Sequence, residues 1–147
     1  MASLILGACS DVLIYLAGPL VSEAERRFNL ELAHRLEAVG FEVFLPQRDG
    51  VERDRSRILD ADVLLFVLDG RVPDEGACVE LGIAFCQKYL RNGEKLLVGL
   101  HTDTRAALIG GRLNPMVRVP LDYIVDDEET LLRLLAGQGF GVEAGSE

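Results

Sequence analysis

The run VLIYLAG at residues 12–18 is apolar apart from the hydroxyl of Tyr15, and it ends in glycine. A strand without a polar face has to be covered on both sides, as in a parallel sheet held between two layers of helices. DVLLFVL at 62–68 reads the same way after its first residue. FEVFL at 41–45 alternates and reads as the second strand, KLLVGL at 95–100 as the fourth, and DYIV at 122–125 as a short fifth.

Helical patterns separate these runs. Ser22 with Glu25 three residues on forms a capping-box start, Ala24, Phe28, Leu32, Leu36 and Val39 make an apolar stripe, and Gly40 is a stop signal. PQRDGVERD at 46–54 reads as a polar loop leading into a short helix around 55–60. A further helix runs to about Asn92, and DEETLLRLLAG at 127–137 closes the domain. Strands alternating with helices imply right-handed crossovers. The expected fold is therefore α/β: a flavodoxin-like (Rossmann-like) three-layer sandwich with a five-stranded parallel sheet of order 2-1-3-4-5. In such a sheet ligands bind beyond the carboxyl ends of the strands where the order reverses, here between strands one and three. YLAGP at 15–19 and DGRVPDEGACVE at 69–80 border that crevice.

The chain has 147 residues, of which 49% are hydrophobic and 27% charged, enough for one domain with its own core. Residues 1–10 read as an N-terminal tail, 11–137 as the domain, and 138–147 as a flexible acidic tail. A net charge of −9 argues against a nucleic-acid partner, which would require clustered cations. No apolar run approaches the ~20 residues that span a bilayer, so no membrane partner is expected. LGAC at 6–9 resembles a lipoprotein cleavage box, but the apolar run before it is shorter than a signal requires and no basic residue precedes it. Cys9, Cys78 and Cys86 are odd in number and lack metal-ligand spacing, which suits a reducing cytoplasm. The stretch 101–120 is long and glycine-containing, the usual mark of a functional or partly mobile loop.

Within GACVELGIAFC at 76–86, Glu80 is the one charged residue. Its surroundings suggest a helix buried all round, where a carboxylate must be paired, protonated or used in chemistry. A structural ion pair and a functional acid are both compatible with that. Asp74 six residues earlier is a favoured N-cap that also borders the crevice. Asp69, ending strand three, carries the same ambiguity, and Asp54 reads as a cap or a surface charge. Tyr15 is a core tyrosine whose hydroxyl needs a partner. No dinucleotide, P-loop or serine-hydrolase motif is present, and His34 and His101 form no metal constellation, so no cofactor and no metal are expected. Carboxylate chemistry remains.

IYLAGP (14–19), AERRFN (24–29), ADVLLFVLDG (61–70), DEGACVELGIA (74–84) and NPM (114–116), in this order and spacing, resemble the nucleoside 2-deoxyribosyltransferase family over 13–117. The resemblance implies that Glu80 is the nucleophile at the anomeric carbon and that Tyr15 positions it. It implies that Asp74 and Asp54 bind and protonate the base, and that Asn114, with Met116 beside it, binds the sugar 5′-hydroxyl. Those two residues often reach the site from a neighbouring subunit, so a homo-oligomer is implied, with nucleoside and free nucleobase as partners. Gly18 and Asp69, at the strand ends, complete the expected substrate-binding set. The implied activity is base exchange on 2′-deoxynucleosides by double displacement, in nucleoside salvage. Two alternatives stand beside it: a nucleoside 5′-monophosphate N-glycosidase of the same superfamily, which would carry a Ser/Arg/Gly-rich phosphate loop after strand one, and a non-catalytic nucleotide-sensing module.

Overall fold

The computed structural model describes residues 11–105, 108 and 113–138, with the Asp54 side chain outside that description. Residues 1–10 with Cys9, residues 139–147 of the C-terminal tail, and residues 106, 107 and 109–112 of the long loop also lie outside it. The elements in chain order are β1 (Leu13–Ala17), α1 (Glu23–Ala38), β2 (Glu42–Phe44), α2 (Pro46–Asp49), a 3₁₀ turn (Val51–Arg53), α3 (Asp54–Asp60), β3 (Val63–Val67) and α4 (Glu75–Arg91). After these come β4 (Leu96–Leu100), α5 (Pro115–Arg118), β5 (Tyr123–Val125) and α6 (Glu128–Gly137). Every strand pairing is parallel and the order is β2-β1-β3-β4-β5, the flavodoxin-like arrangement expected.

Alternation along the strands divides the core in two. Ile14, Leu16, Leu65, Val67 and Val98 pack under Leu32, Ala33 and Leu36 of α1 and Leu131 and Leu135 of α6. Leu13, Tyr15, Ala17, Leu64, Phe66 and Leu97 face Ile58 of α3, Ala77, Leu81 and Ala84 of α4, and Val117 of α5. β1, β3 and β4 are buried along their whole length, as their apolar runs require.

Local signals set the helix ends. At the start of α1 the capping box is complete: Ser22 Oγ accepts from the Glu25 amide at 3.1 Å, and Glu25 Oε2 accepts from the Ser22 amide at 2.7 Å. Gly40 turns the chain at φ 104°, a left-handed conformation that glycine adopts without strain. α4 ends on Asn92 in the left-handed conformation.

Two expectations need correction. The segment 46–53 is not an open loop but α2 and a 3₁₀ turn, nucleated by Pro46 at the first helical position. And α4 is not buried all round. Only Ala77, Leu81 and Ala84 are buried, while Val79, Phe85, Tyr89 and Leu90 are exposed. The helix lies on one face of the sheet, so a single stripe at helical spacing is covered and the outward apolar side chains are not. No helix among the described residues is long and apolar enough to cross a membrane.

Candidate active site

Tyr15 lies in the middle of β1 with its whole side chain buried. Parallel pairing sets it opposite Phe44 on one side and Leu64 on the other. Its ring stacks on Phe44 with centroids 5.4 Å apart, and the Arg57 guanidinium sits over the far ring, 5.6 Å from the Phe44 centroid. A phenol this deep has to satisfy its hydroxyl. It donates to Glu80 Oε1 at 3.0 Å. Glu80, half-buried, sits near the start of α4, one residue before the buried Leu81 that seats the helix on the sheet. The sheet and α4, 65 residues apart in sequence, thus bring an aromatic donor and a carboxylate into one site.

Asp74 caps α4, its Oδ2 accepting from the Ala77 amide at 2.9 Å. It is half-buried, six residues ahead of Glu80. Burial pushes the nearby Cys78 thiol above its ordinary value, with the negative charge of Asp74 adding to the effect. A thiol held protonated is a poor nucleophile. Asp54 is the first residue of α3.

The remaining expected residues have local roles. Asp69, just past β3, accepts through Oδ1 from the Thr102 amide at 2.7 Å and the Asp103 amide at 3.0 Å, and through Oδ2 from the Thr102 hydroxyl. Asp103 in turn accepts from the Gly70 amide at 3.1 Å, so the chains leaving β3 and β4 are latched in both directions. The Arg105 guanidinium, with its backbone amide, holds the Asp103 carboxyl well below the usual carboxylate range. Gly18 follows β1 at a point of close approach. A Cβ there would lie 2.9 Å from Val67 Cβ, which only glycine avoids. Asn114 caps α5 by accepting from the Met116 amide at 2.9 Å, and Met116 is 81% exposed. A hollow of about 820 Å³ opens beside Leu113, Asn114, Pro115 and Arg118. Among the described residues no group of acids, histidines and cysteines has the makings of a metal site.

Residue types singled out Tyr15 and Glu80 separately, the family resemblance paired them, and the fold brings the two side chains into contact. Sequence reasoning missed the Phe44 stack and the Asp69–Thr102 latch. The aromatic in FEVFL, directly opposite Tyr15 once the strands are in register, was the available signal for the first. Nothing local in HTDT at 101–104 signalled the second.

A family model for nucleoside 2-deoxyribosyltransferases matches residues 14–135, most of the chain and all of the site elements above. The chain belongs to the nucleoside 2-deoxyribosyltransferase family. Among solved structures it is similar to a conserved protein from Enterococcus faecalis V583, with a TM-score of 0.73 and 23% identity, covering 86% of this chain and 98% of that one. It is also similar to a 2-deoxyribosyltransferase from Bacillus psychrosaccharolyticus (TM-score 0.68, 19% identity, covering 82% and 90%). A third relative in fold is the CMP N-glycosidase of Clostridium botulinum (TM-score 0.52, 21% identity, covering 86% and 98%). No curated protein gives a significant match. Membership places the chain among enzymes acting on nucleosides or nucleotides, and the identities leave transfer against hydrolysis to the chemistry of the site.

Proposed function

We propose that the chain exchanges the base of 2′-deoxynucleosides by a double displacement at Glu80. The observation that carries this reading is the hydrogen bond from the Tyr15 hydroxyl to Glu80, a buried donor aimed at a half-buried carboxylate at the crevice edge. In the first step a Glu80 oxygen attacks C1′ of the sugar and the C1′–N bond breaks. The departing base takes a proton from an aspartic acid, Asp74 or Asp54, and leaves neutral. In the second step an incoming base attacks C1′, the ester to Glu80 breaks, and the base's proton returns to the aspartate. Two inversions give net retention, the logic of retaining glycosidases. Tyr15 orients Glu80 and supports its negative charge when the ester bond is broken. Gly18 and Asp69 shape the edges of the crevice. Asn114, capping α5 with Met116 beside it, takes the sugar 5′-hydroxyl of a neighbouring copy in a homo-oligomer.

An observation at the start of α1 favours a nucleoside over a nucleoside 5′-monophosphate. The N-terminus of a helix that follows the first strand of such a sheet is a natural seat for a phosphate. Here Glu25 Oε2 already accepts from the Val21 amide at 3.0 Å and the Ser22 amide at 2.7 Å. Those amide hydrogen bonds hold the Glu25 carboxyl below its ordinary value, so it stays ionised and repels a second anion. The Arg26 guanidinium is turned to the Leu20 and Val21 carbonyls, and Arg27 pairs with Glu23 at 2.7 Å. The chromatographic test uses deoxyinosine as donor, with and without adenine. Deoxyadenosine formed only when adenine is present, and lost in Glu80→Ala, is the expected result. Hypoxanthine released equally fast without adenine indicates hydrolysis instead, and absence of any reaction indicates a binding module.

A further inference from the structure

Asn29 is one of two buried polar or charged residues among the described ones, with 2% of its surface exposed. It projects from α1, yet its hydrogen bonds leave the helix. Its Nδ2 donates to the Pro19 carbonyl at 2.9 Å and to Gln47 Oε1 at 3.1 Å, while Gln47 Nε2 donates to the Arg26 carbonyl at 2.8 Å. Both ends of this relay are backbone carbonyls, which only accept. Each amide therefore has one workable orientation, and the assignment of nitrogen and oxygen is fixed by the network itself. The arrangement has a cost. Asn29 Oδ1 is buried with no partner among the described residues. An apolar side chain would pack there without that penalty, so a residue that accepts it is needed for its two donated bonds.

Those bonds act where the sheet stops. The β1–β2 ladder ends at the pair Tyr15 and Phe44, the two stacked rings beneath Glu80. Beyond that pair the two chains diverge, one through Gly18 and Pro19 into α1, the other through Pro46 and Gln47 into α2. The Asn29 amide ties them together again, four residues after Tyr15 and three after Phe44.

We propose that Asn29 is a positioning residue of this site: it fixes the separation of the two chain segments that leave β1 and β2, and so the width of the crevice on the β2 side of the Tyr15–Glu80 pair. The proposal rests on the reading of that pair as a nucleoside site. Asn29 touches neither Tyr15 nor Glu80 through its relay, so it governs how the ligand is held rather than the chemical step.

Asn29→Asp keeps the shape but replaces both donors by acceptors facing the Pro19 carbonyl and Gln47 Oε1. Asn29→Leu removes the polar atoms altogether and serves if the first variant does not fold. Initial rates with deoxyinosine and adenine, on protein shown by thermal melt to be folded at the assay temperature, should give a KM for donor raised about tenfold, the scale of one lost buried hydrogen bond. The kcat should stay within about threefold, as for a loss of uniform binding. Calorimetric titration of deoxyinosine into Glu80→Ala, with and without the Asn29 substitution, should show the same weakening without turnover. A lowered Tm with unchanged KM and affinity overturns the proposal and leaves Asn29 a purely structural residue. Wild-type protein that binds deoxyinosine without turning it over refutes the exchange reaction instead, and the two affinities still decide the role of Asn29. Protein that binds neither donor nor base overturns both.

Discussion

Replacing Tyr15 by Phe removes one oxygen atom and little else. The ring stays in the core, stacked 5.4 Å from Phe44, and the β1 backbone ladder is untouched. What is lost is the 3.0 Å hydrogen bond to Glu80. A hydrogen bond to a charged partner is worth about 1.5–3 kcal/mol. The bond holds the carboxylate in line for attack at C1′ in the first displacement and stabilises the carboxylate released in the second, so its loss raises the barrier of both. Taken as transition-state free energy, it lowers kcat/KM by about ten- to 150-fold. The assay is the initial rate of deoxyadenosine formation from deoxyinosine and adenine, alongside a thermal melt. A melting temperature within a few degrees of wild type shows that the loss is catalytic. A folded Tyr15→Phe protein with wild-type kcat/KM refutes the role given to this bond, and with it the argument that the buried phenol exists to serve Glu80.

Gly18→Ala places a Cβ 2.9 Å from Val67 Cβ, a contact between two rigid positions, and should destabilise the fold by about 1–3 kcal/mol in urea unfolding. Asp49 binds the Leu45 amide and Arg48. Burial raises its carboxyl, but those hydrogen bonds outweigh burial and leave it lowered. A lowered carboxyl contributes stability above its unfolded value that disappears as pH falls through its folded value. Asp49→Asn should therefore be less stable than wild type by about 1 kcal/mol at pH 7, with the gap closing as pH falls below about 4. Tyr89 and Leu90, 75% and 74% exposed on α4, form an outward apolar face that the proposed homo-oligomer would bury. Leu90→Glu should shift the sedimenting species toward monomer, and an unchanged distribution would mean that any assembly uses another face.

Much of the fold was legible in sequence because burial on both faces leaves an unmistakable trace: VLIYLAG and DVLLFVL contain no solvent face to disguise their role. Capping chemistry was equally local, and Ser22 with Glu25 closes as its spacing implied. α2 was obscured because PQRDG carries turn residues that also suit one turn of helix behind a proline. The outward face of α4 was misread for a different reason. An apolar side chain looks the same in sequence whether it faces the sheet or turns away from it, and Val79 and Leu90 turn away from it. At the site, residue types pointed to Tyr15 and Glu80 individually, and only the family resemblance paired them. Their contact depended on register between a strand and a helix far apart in the chain. The same is true of Asp69, whose partners lie more than thirty residues away at the end of β4.

The central claim is a covalent bond between Glu80 and the sugar. Incubating the protein with deoxyinosine and no acceptor base, quenching in acid and mapping peptides by mass spectrometry tests it directly. A single anhydrodeoxyribosyl increment on the peptide bearing Glu80, discharged by adenine and absent from Glu80→Gln, is the predicted result. Base release with that peptide unmodified at every time point, or an adduct on another residue, would contradict it.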